Sequence, residues 1–186
     1  MKSVIILGDF HIPTRAQRIP EEFSNIISSM KPFDYVLCTG DLVDYNTKEY
    51  VQSLGRNVYI VRGNMDYIDL PHYHIVKIES LKFGIIHGSE VYPRGNIPQL
   101  TEIALNMGVD VLVHGHTHVL DIKEVEAKRR RILLVNPGSI TGVWSGGGGS
   151  LIPSFIISFV NENKLVVRTY ELREKLIVKE RKYTLP

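Results

Sequence analysis

Five short stretches of the chain combine glycine with aspartate, asparagine or histidine: GDFH at 8–11, TGDLVD at 39–44, RGNMD at 62–66, HGS at 87–89 and HGHTH at 114–118. Carboxylates, carboxamides and imidazoles ligate divalent cations, and the single cysteine, Cys38, offers no thiol site and no disulfide. Such a ligand mixture suits Mn, Fe, Ni, Co or Zn better than Ca, and its histidine content is unnatural for Mg. Taken singly, each stretch has a bland explanation. A Gly-Asp behind a strand is commonly a turn with a helix cap, and a lone histidine is commonly satisfied by a backbone carbonyl. Gathered in one place, the same carboxylates and imidazoles would be costly to bury without cations to neutralise them. The carboxylates, carboxamide and imidazoles of these five stretches exceed what one ion with an open position uses, so two ions are implied. Two-metal sites hold their ions about 3.5–4 Å apart and suit in-line displacement at phosphorus.

The elements that must position these residues are legible from the apolar runs in front of them. SVIIL at 3–7, YVLC at 35–38, VYIV at 58–61, FGII at 83–86 and VDVLV at 109–113 each precede one of the five stretches, and ILLV at 132–135 is a sixth run. Continuous runs of this kind fit buried strands. Helical spacing appears at 19–30 (Phe23, Ile26, Ile27, Met30), at 47–54 (Tyr50, Val51, Leu54) and at 98–107 (Leu100, Ile103, Ala104, Met107). Strand alternating with helix predicts an α/β fold, in which ligands bind at the carboxyl ends of the strands. The C-terminal third changes character: PSFIISFV at 153–160, a turn at NEN and KLVVRTYEL at 164–172 predict a hairpin, with an edge strand over 176–185. Two packed sheets with helices outside are expected.

A chain of 186 residues fits one domain, taken as 1–186. With 22 Lys+Arg against 20 Asp+Glu there is no basic field that argues for nonspecific nucleic-acid binding. The basic run KRRR at 128–131 is expected to be a solvated hairpin turn, and SGGGGS at 145–150 a mobile loop rather than a phosphate cradle, because no strong helix start comes after it. The apolar N-terminal stretch is too short to span a bilayer and lacks a cleavage signal, so it is expected to be a first strand. No membrane span and a cytoplasmic setting are expected.

In order, GD-x-H, GD-x-x-D, GN-x-D, HG and GH-x-H resemble the calcineurin-like metallophosphoesterase superfamily, and most closely the small phosphodiesterase branch that includes the phosphoesterase-like subunit of retromer. LGDFHIPTR, VYIVRGNMD, FGIIHG, GHTH, VNPGS and IPSF carry the resemblance from residue 7 to about 159. It implies a four-layer α/β/β/α sandwich of two mixed β-sheets flanked by helices. It also implies that Asp9, His11 and His118 hold one divalent metal, that Asn64, His87 and His116 hold a second, and that Asp41 bridges them, with manganese the first choice over Ni, Co, Fe or Zn. A hydroxide shared by both ions is the implied nucleophile, which places Asp9, His11, Asp41, Asn64 and His87 in the catalytic set. His114 is expected to support the ligands, Asp44 and Asp66 to orient ligating imidazoles or amides, and Arg15 and Arg62 to hold a phosphate oxygen.

One departure matters. Many relatives carry a histidine after the GN pair as proton donor, and here the position is Met65, which argues against efficient monoester hydrolysis. The first functional reading is a metal-dependent phosphodiesterase acting on a small-molecule or nucleotide diester. The alternative is a protein-binding scaffold of the retromer-subunit type, docking through apolar surface near 90–100 or 150–156, where Leu151, Ile152, Pro153 and Phe155 are either a patch or core. Oligomeric state is left open, a dimer included.

Overall fold

Alternation along the first strand sets the layering. Val4 and Ile6 point to one side, Ile5 and Leu7 to the other, and all four are buried. A strand buried on both faces must lie between two other layers. In the computed structural model, which describes residues 1–185, the chain runs β1 (Lys2–Leu7), α1 (Glu21–Met30), β2 (Phe33–Cys38), α2 (Tyr45–Gln52), β3 (Gly55–Ile60), β4 (Tyr73–Ile78), β5 (Leu81–Ile86), α3 (Ile97–Met107), β6 (Val111–Val113), β7 (Leu120–Ala127), β8 (Arg130–Pro137), β9 (Ser154–Asn161), β10 (Lys164–Leu172) and β11 (Leu176–Thr184). Pro186, the last residue of the expected domain, lies outside the described residues.

Two mixed sheets result, one ordered β11-β10-β9-β1-β2-β3 and the other β4-β5-β6-β8-β7. Val4, Ile6, Ile156 and Val167 of the first sheet meet Phe83, Ile85, Val113 and Val135 of the second in the central layer. On the outer face of the first sheet, Ile5, Val36 and Ile157 pack against Phe23 and Ile27 of α1 and Val51 of α2. On the outer face of the second, Ile86, Leu112 and Leu134 pack against Leu100 and Ala104 of α3. The expected α/β/β/α sandwich is the observed one, and no described helix is long and apolar enough to cross a membrane.

The helix limits reflect capping chemistry. Asp44 caps α2 by accepting from the Thr47 amide at 2.8 Å, and Asn96 caps α3 by accepting from Gln99 at 3.0 Å, ahead of Pro98. Gly108 ends α3 at φ 67, a left-handed turn that glycine adopts without steric cost. The hairpin turn expected at KRRR is formed by its first two residues: Lys128 and Arg129 join β7 to β8 with φ of 49° and 62°, while Arg130 and Arg131 open β8. The 153–172 hairpin is β9 and β10, and β11 is an edge strand of its sheet. β4 has no counterpart among the expected strands, because its half-exposed pattern is alternating rather than continuous.

Candidate metal centre

Strands β1, β2 and β3 are mutually parallel in one sheet, and β5, β6 and β8 in the other. Their carboxyl ends meet: the Thr39 carbonyl behind β2 accepts from Nδ1 of His87 behind β5 at 2.7 Å. All five ligand-bearing stretches leave from these ends. The loops are tight enough to force Asp9, His11, Asp41, His116 and His118 to positive φ, between 48° and 68°. Aspartate and histidine tolerate that region better than branched residues do, and left-handed non-glycine residues concentrate at functional sites. A side chain on Gly63 would overlap Oδ1 of Asp41, so the glycine of the GN pair is required by the close approach of the two loops.

Asp9, His11, Asp41 and His118 are buried, and one ligand atom from each lies within 4.8 Å of the others. The His11 and His118 Nε2 atoms are 3.1 Å apart, His11 Nε2 is 3.2 Å from Asp41 Oδ2, and His118 Nε2 is 3.4 Å from Asp9 Oδ1. The same Asp41 Oδ2 is 3.5 Å from Nε2 of His87, which in turn is 2.9 Å from Asn64 Oδ1. One carboxylate oxygen therefore faces two groups of candidate ligands. His116 donates its amide to Asp9 Oδ2 at 3.1 Å and sets its ring edge-on to His87, centroids 5.1 Å apart. Asn64 alone of the seven candidates is exposed.

The donor set fits a divalent cation. With Nδ1–H given to the carbonyls of Thr39 and Val143, the latter at 2.6 Å, His87 and His118 turn lone pairs inward from Nε2. These lone pairs meet oxygen acceptors, an arrangement that repels unless a positive charge lies between them. Asp9 Oδ1 is buried and makes no hydrogen bond among the described residues. Burial, with neighbouring cationic groups, holds His11 and His116 down to about 4, the state a ligand needs. Burial pushes the Asp41 carboxyl up to about 6, partly offset by His87. Burial works the same way on Asp9, but the neighbouring imidazoles of His118, His87 and His11 outweigh it and hold its pKa below the usual value.

The supporting residues differ from expectation in detail. Asp66 makes no hydrogen bond to an imidazole among the described residues: its carboxylate accepts from the amides of Asp41 at 2.9 Å, Leu42 at 2.7 Å, Val43 at 2.8 Å and Gly63 at 2.8 Å, fixing the loop that carries Asp41. Asp44 serves as the α2 cap rather than as an orienting group for a ligand. His114 is buried beside Asn136, whose Nδ2 is 3.2 Å from its Nδ1, and its pKa is pushed down to about 4 by burial. Arg15 donates from Nη1 to the Trp144 carbonyl at 2.7 Å, whereas Arg62 is exposed. Phe155 belongs to the core, stacked on Tyr170 at 4.6 Å, while Leu151 is exposed, so those two do not share a surface patch.

Several contributors carry no motif signal. The carbonyls of Thr39 and Val143 set tautomers through atoms that every residue has. Ser139, behind β8, donates to the Asp9 carbonyl at 2.7 Å, and Asn136 donates to Gly115 O and Thr117 Oγ1 at 3.2 and 2.9 Å. The run VNPGS that holds both is visible in the sequence, but its task is not. A recess of about 480 Å³ lies between α1 and α2, bounded on one side by Phe10 and Ile12, which flank His11.

Residues 1–156 match the family model described as the calcineurin-like phosphoesterase superfamily domain. A probable metallophosphoesterase of Methanocaldococcus jannaschii is 40% identical over 140 residues, 73% of this chain and 67% of the relative. Among solved structures, Vacuolar Protein Sorting 29 of Cryptosporidium parvum superposes with a TM-score of 0.90 at 30% identity, covering 98% of each chain. The same protein of Entamoeba histolytica, determined with zinc, gives 0.85 at 33% identity over 98% of each chain.

Proposed function

The chain belongs to the calcineurin-like phosphoesterase superfamily, and from that premise we propose that it is a divalent-metal-dependent phosphodiesterase with a dinuclear centre. Asp9, His11 and His118 would hold one ion, Asn64, His87 and His116 the other, and Asp41 both. The observation that carries this reading is the position of Asp41 Oδ2, 3.2 Å from His11 Nε2 and 3.5 Å from His87 Nε2. Manganese is the first choice of metal, with Zn, Ni, Co or Fe compatible with the same ligands. Bound ions supply Lewis acidity and a water acid enough at neutral pH to attack phosphorus in line.

The chain's own residues supply position and charge. Asp66 clamps the Asp41 loop, the Thr39 and Val143 carbonyls fix which nitrogen of His87 and His118 faces inward, and Arg15 offers a guanidinium beside His11. Met65 places no acid near a leaving group, so diesters with good leaving groups are the preferred substrates. The proposal takes 1–186 as one domain and places it in the cytoplasm. Asp41→Asn tests it, because one amide cannot neutralise two cations: metal content and diester turnover should fall together while the fold persists. Retention of two ions and near-normal turnover would remove Asp41 from the bridging role.

A protein-docking role of the retromer-subunit type is the second reading, favoured by the 0.90 TM-score to Vacuolar Protein Sorting 29 over 98% of each chain. It separates from the first by turnover, since a scaffold can keep metal for stability without using it.

A further inference from the structure

Three consecutive backbone carbonyls anchor three groups around the centre. Val143 O accepts from Nδ1 of His118 at 2.6 Å, Trp144 O from Nη1 of Arg15 at 2.7 Å, and Ser145 O from Nη1 of Arg94 at 2.9 Å. Arg94 makes a second contact with Ser145 Oγ at 3.1 Å. Its guanidinium lies against the glycine-rich loop: a Cβ on Gly147 would stand 3.1 Å from Arg94 Cζ and 3.2 Å from Nη1. Gly147 thus leaves the space that a side chain would dispute. The loop is braced by the Ser145 amide and hydroxyl, which both donate to Gly148 O at 3.0 Å. Its far end returns to the site, where Ser150 Oγ donates to the His118 carbonyl at 3.0 Å.

The other end of the Arg94 segment is seated as closely. A Cβ on Gly95 would meet Thr117 Cγ2 at 3.1 Å, so the chain beside Arg94 touches the residue between His116 and His118. Arg15 is held beside His11 in the same way, its amide donating to the His11 carbonyl at 2.8 Å. Two guanidiniums tied to adjacent carbonyls therefore flank the two halves of the centre. Neither carbonyl neutralises its arginine, and no carboxylate pairs with either among the ion pairs of the described residues. Arginine presents five donors in a planar fork suited to phosphate oxygens, so each can hold a carbonyl and still offer N–H groups to an anion.

We infer that Arg94, seated on the SGGGGS loop, is a substrate-binding residue that works with Arg15 to hold the phosphate oxygens of a phosphoester at this centre. The inference rests on the reading of the site as a phosphoester site. It gives the loop a task that its composition did not announce: it cradles a guanidinium rather than a phosphate.

Calorimetric titration of inorganic phosphate into manganese-loaded protein tests it without relying on turnover, with diester kinetics as the second readout. Arg94→Ala should weaken phosphate binding roughly 10- to 100-fold, the range of a charge-assisted hydrogen bond. It should raise KM for an aryl diester by a similar factor, with a smaller change in kcat and manganese content unchanged. Arg94→Lys should restore part of both. Gly147→Ala, which presses a methyl group on the guanidinium at a position with an ordinary backbone conformation, should shift both in the same direction by less. Unchanged phosphate affinity and KM in Arg94→Ala would overturn the inference, as would a wild-type protein that binds no phosphate. Loss of manganese on that substitution would also overturn it, making Arg94 a brace for the His118 loop. Arg94-dependent phosphate binding without turnover of any diester would instead remove the phosphodiesterase reading and leave the anion site standing.

Discussion

His11 and His118 face each other through their Nε2 atoms at 3.1 Å, and His118 is the less free of the two, because its Nδ1–H is committed to the Val143 carbonyl at 2.6 Å. Its inward nitrogen presents a lone pair to His11 and, at 3.4 Å, to an Asp9 oxygen that has no hydrogen bond. A proton can relieve one such contact. A divalent cation relieves all of them together, and this is the physical ground for expecting metal at this end of the sheets.

Metal should therefore stabilise the fold measurably. At a free manganese concentration about 100 times Kd, a ligand that binds only the folded state adds about 2.7 kcal/mol, which for a chain of this size is on the order of 5–10 °C in Tm. Thermal scans of chelated and manganese-supplemented protein check this. Coincident curves would mean that the imidazoles and carboxylates settle their contacts with protons alone.

The three histidines of HGHTH should separate into two classes. His118→Ala and His116→Ala remove a nitrogen from the centre itself, whereas His114→Ala removes a neighbour of Asn136 that stabilises the loop from behind. Support of that kind typically accounts for about 10–100-fold in affinity or activity, and the two ligand substitutions should lower diester turnover further still. Manganese content and turnover of the three variants, measured side by side, decide it; equal losses at all three positions would show that the wrong pair has been assigned to the metals.

Asp66→Ala should be destabilising out of proportion to its size. Four backbone donors, from Asp41, Leu42, Val43 and Gly63, lose one carboxylate. Leaving even two buried amides unpaired costs on the order of 2–6 kcal/mol. Urea denaturation of the chelated proteins should show the loss before any metal is added, and Asp66→Asn, which keeps one accepting oxygen, should lie between. A variant as stable as the parent would mean that solvent reaches these amides.

Met65 donates its backbone amide to Asp41 Oδ1 at 2.8 Å, so its side chain can be changed without disturbing that contact. A positioned acid contributes about 10²–10⁴-fold to departure of a poor leaving group. Met65→His should raise hydrolysis of alkyl esters more than of aryl esters, whose phenolates leave unaided. With Asp66 fully engaged by backbone amides, the new imidazole would have to act without that carboxylate as its orienting partner, and the gain should fall toward the lower end. An unchanged alkyl-to-aryl ratio with metals still bound would show that a missing proton donor does not set substrate preference.

The fold was legible wherever a strand is buried on both faces. SVIIL, YVLC and FGII are continuous apolar runs because each lies between two layers, and the ligand stretches could be placed simply by their position at the carboxyl ends of those runs. β4 and the Phe155 side chain were not placed, for a common reason: an alternating pattern, or one aromatic residue in an apolar run, does not say which side solvent is on. The ligand types were legible because only a few side chains bind metal. Their fixings were not. Asp66 acts on the amides of Asp41, Leu42 and Val43, 23 to 25 residues away, and Arg94 on a carbonyl 51 residues away. Backbone atoms leave no mark in composition, so Asp66 could be suspected of a supporting role but assigned the wrong partner, and Arg94 could not be singled out at all.

The most direct measurement is metal stoichiometry by elemental analysis on the same sample whose turnover of an aryl phosphodiester is monitored before chelation, after chelation and after manganese is restored. Two ions per chain, turnover that disappears with them and turnover that returns with manganese are the expected result. Two ions per chain with no hydrolysis of any diester in a broad panel, or hydrolysis that survives complete removal of metal, would contradict it.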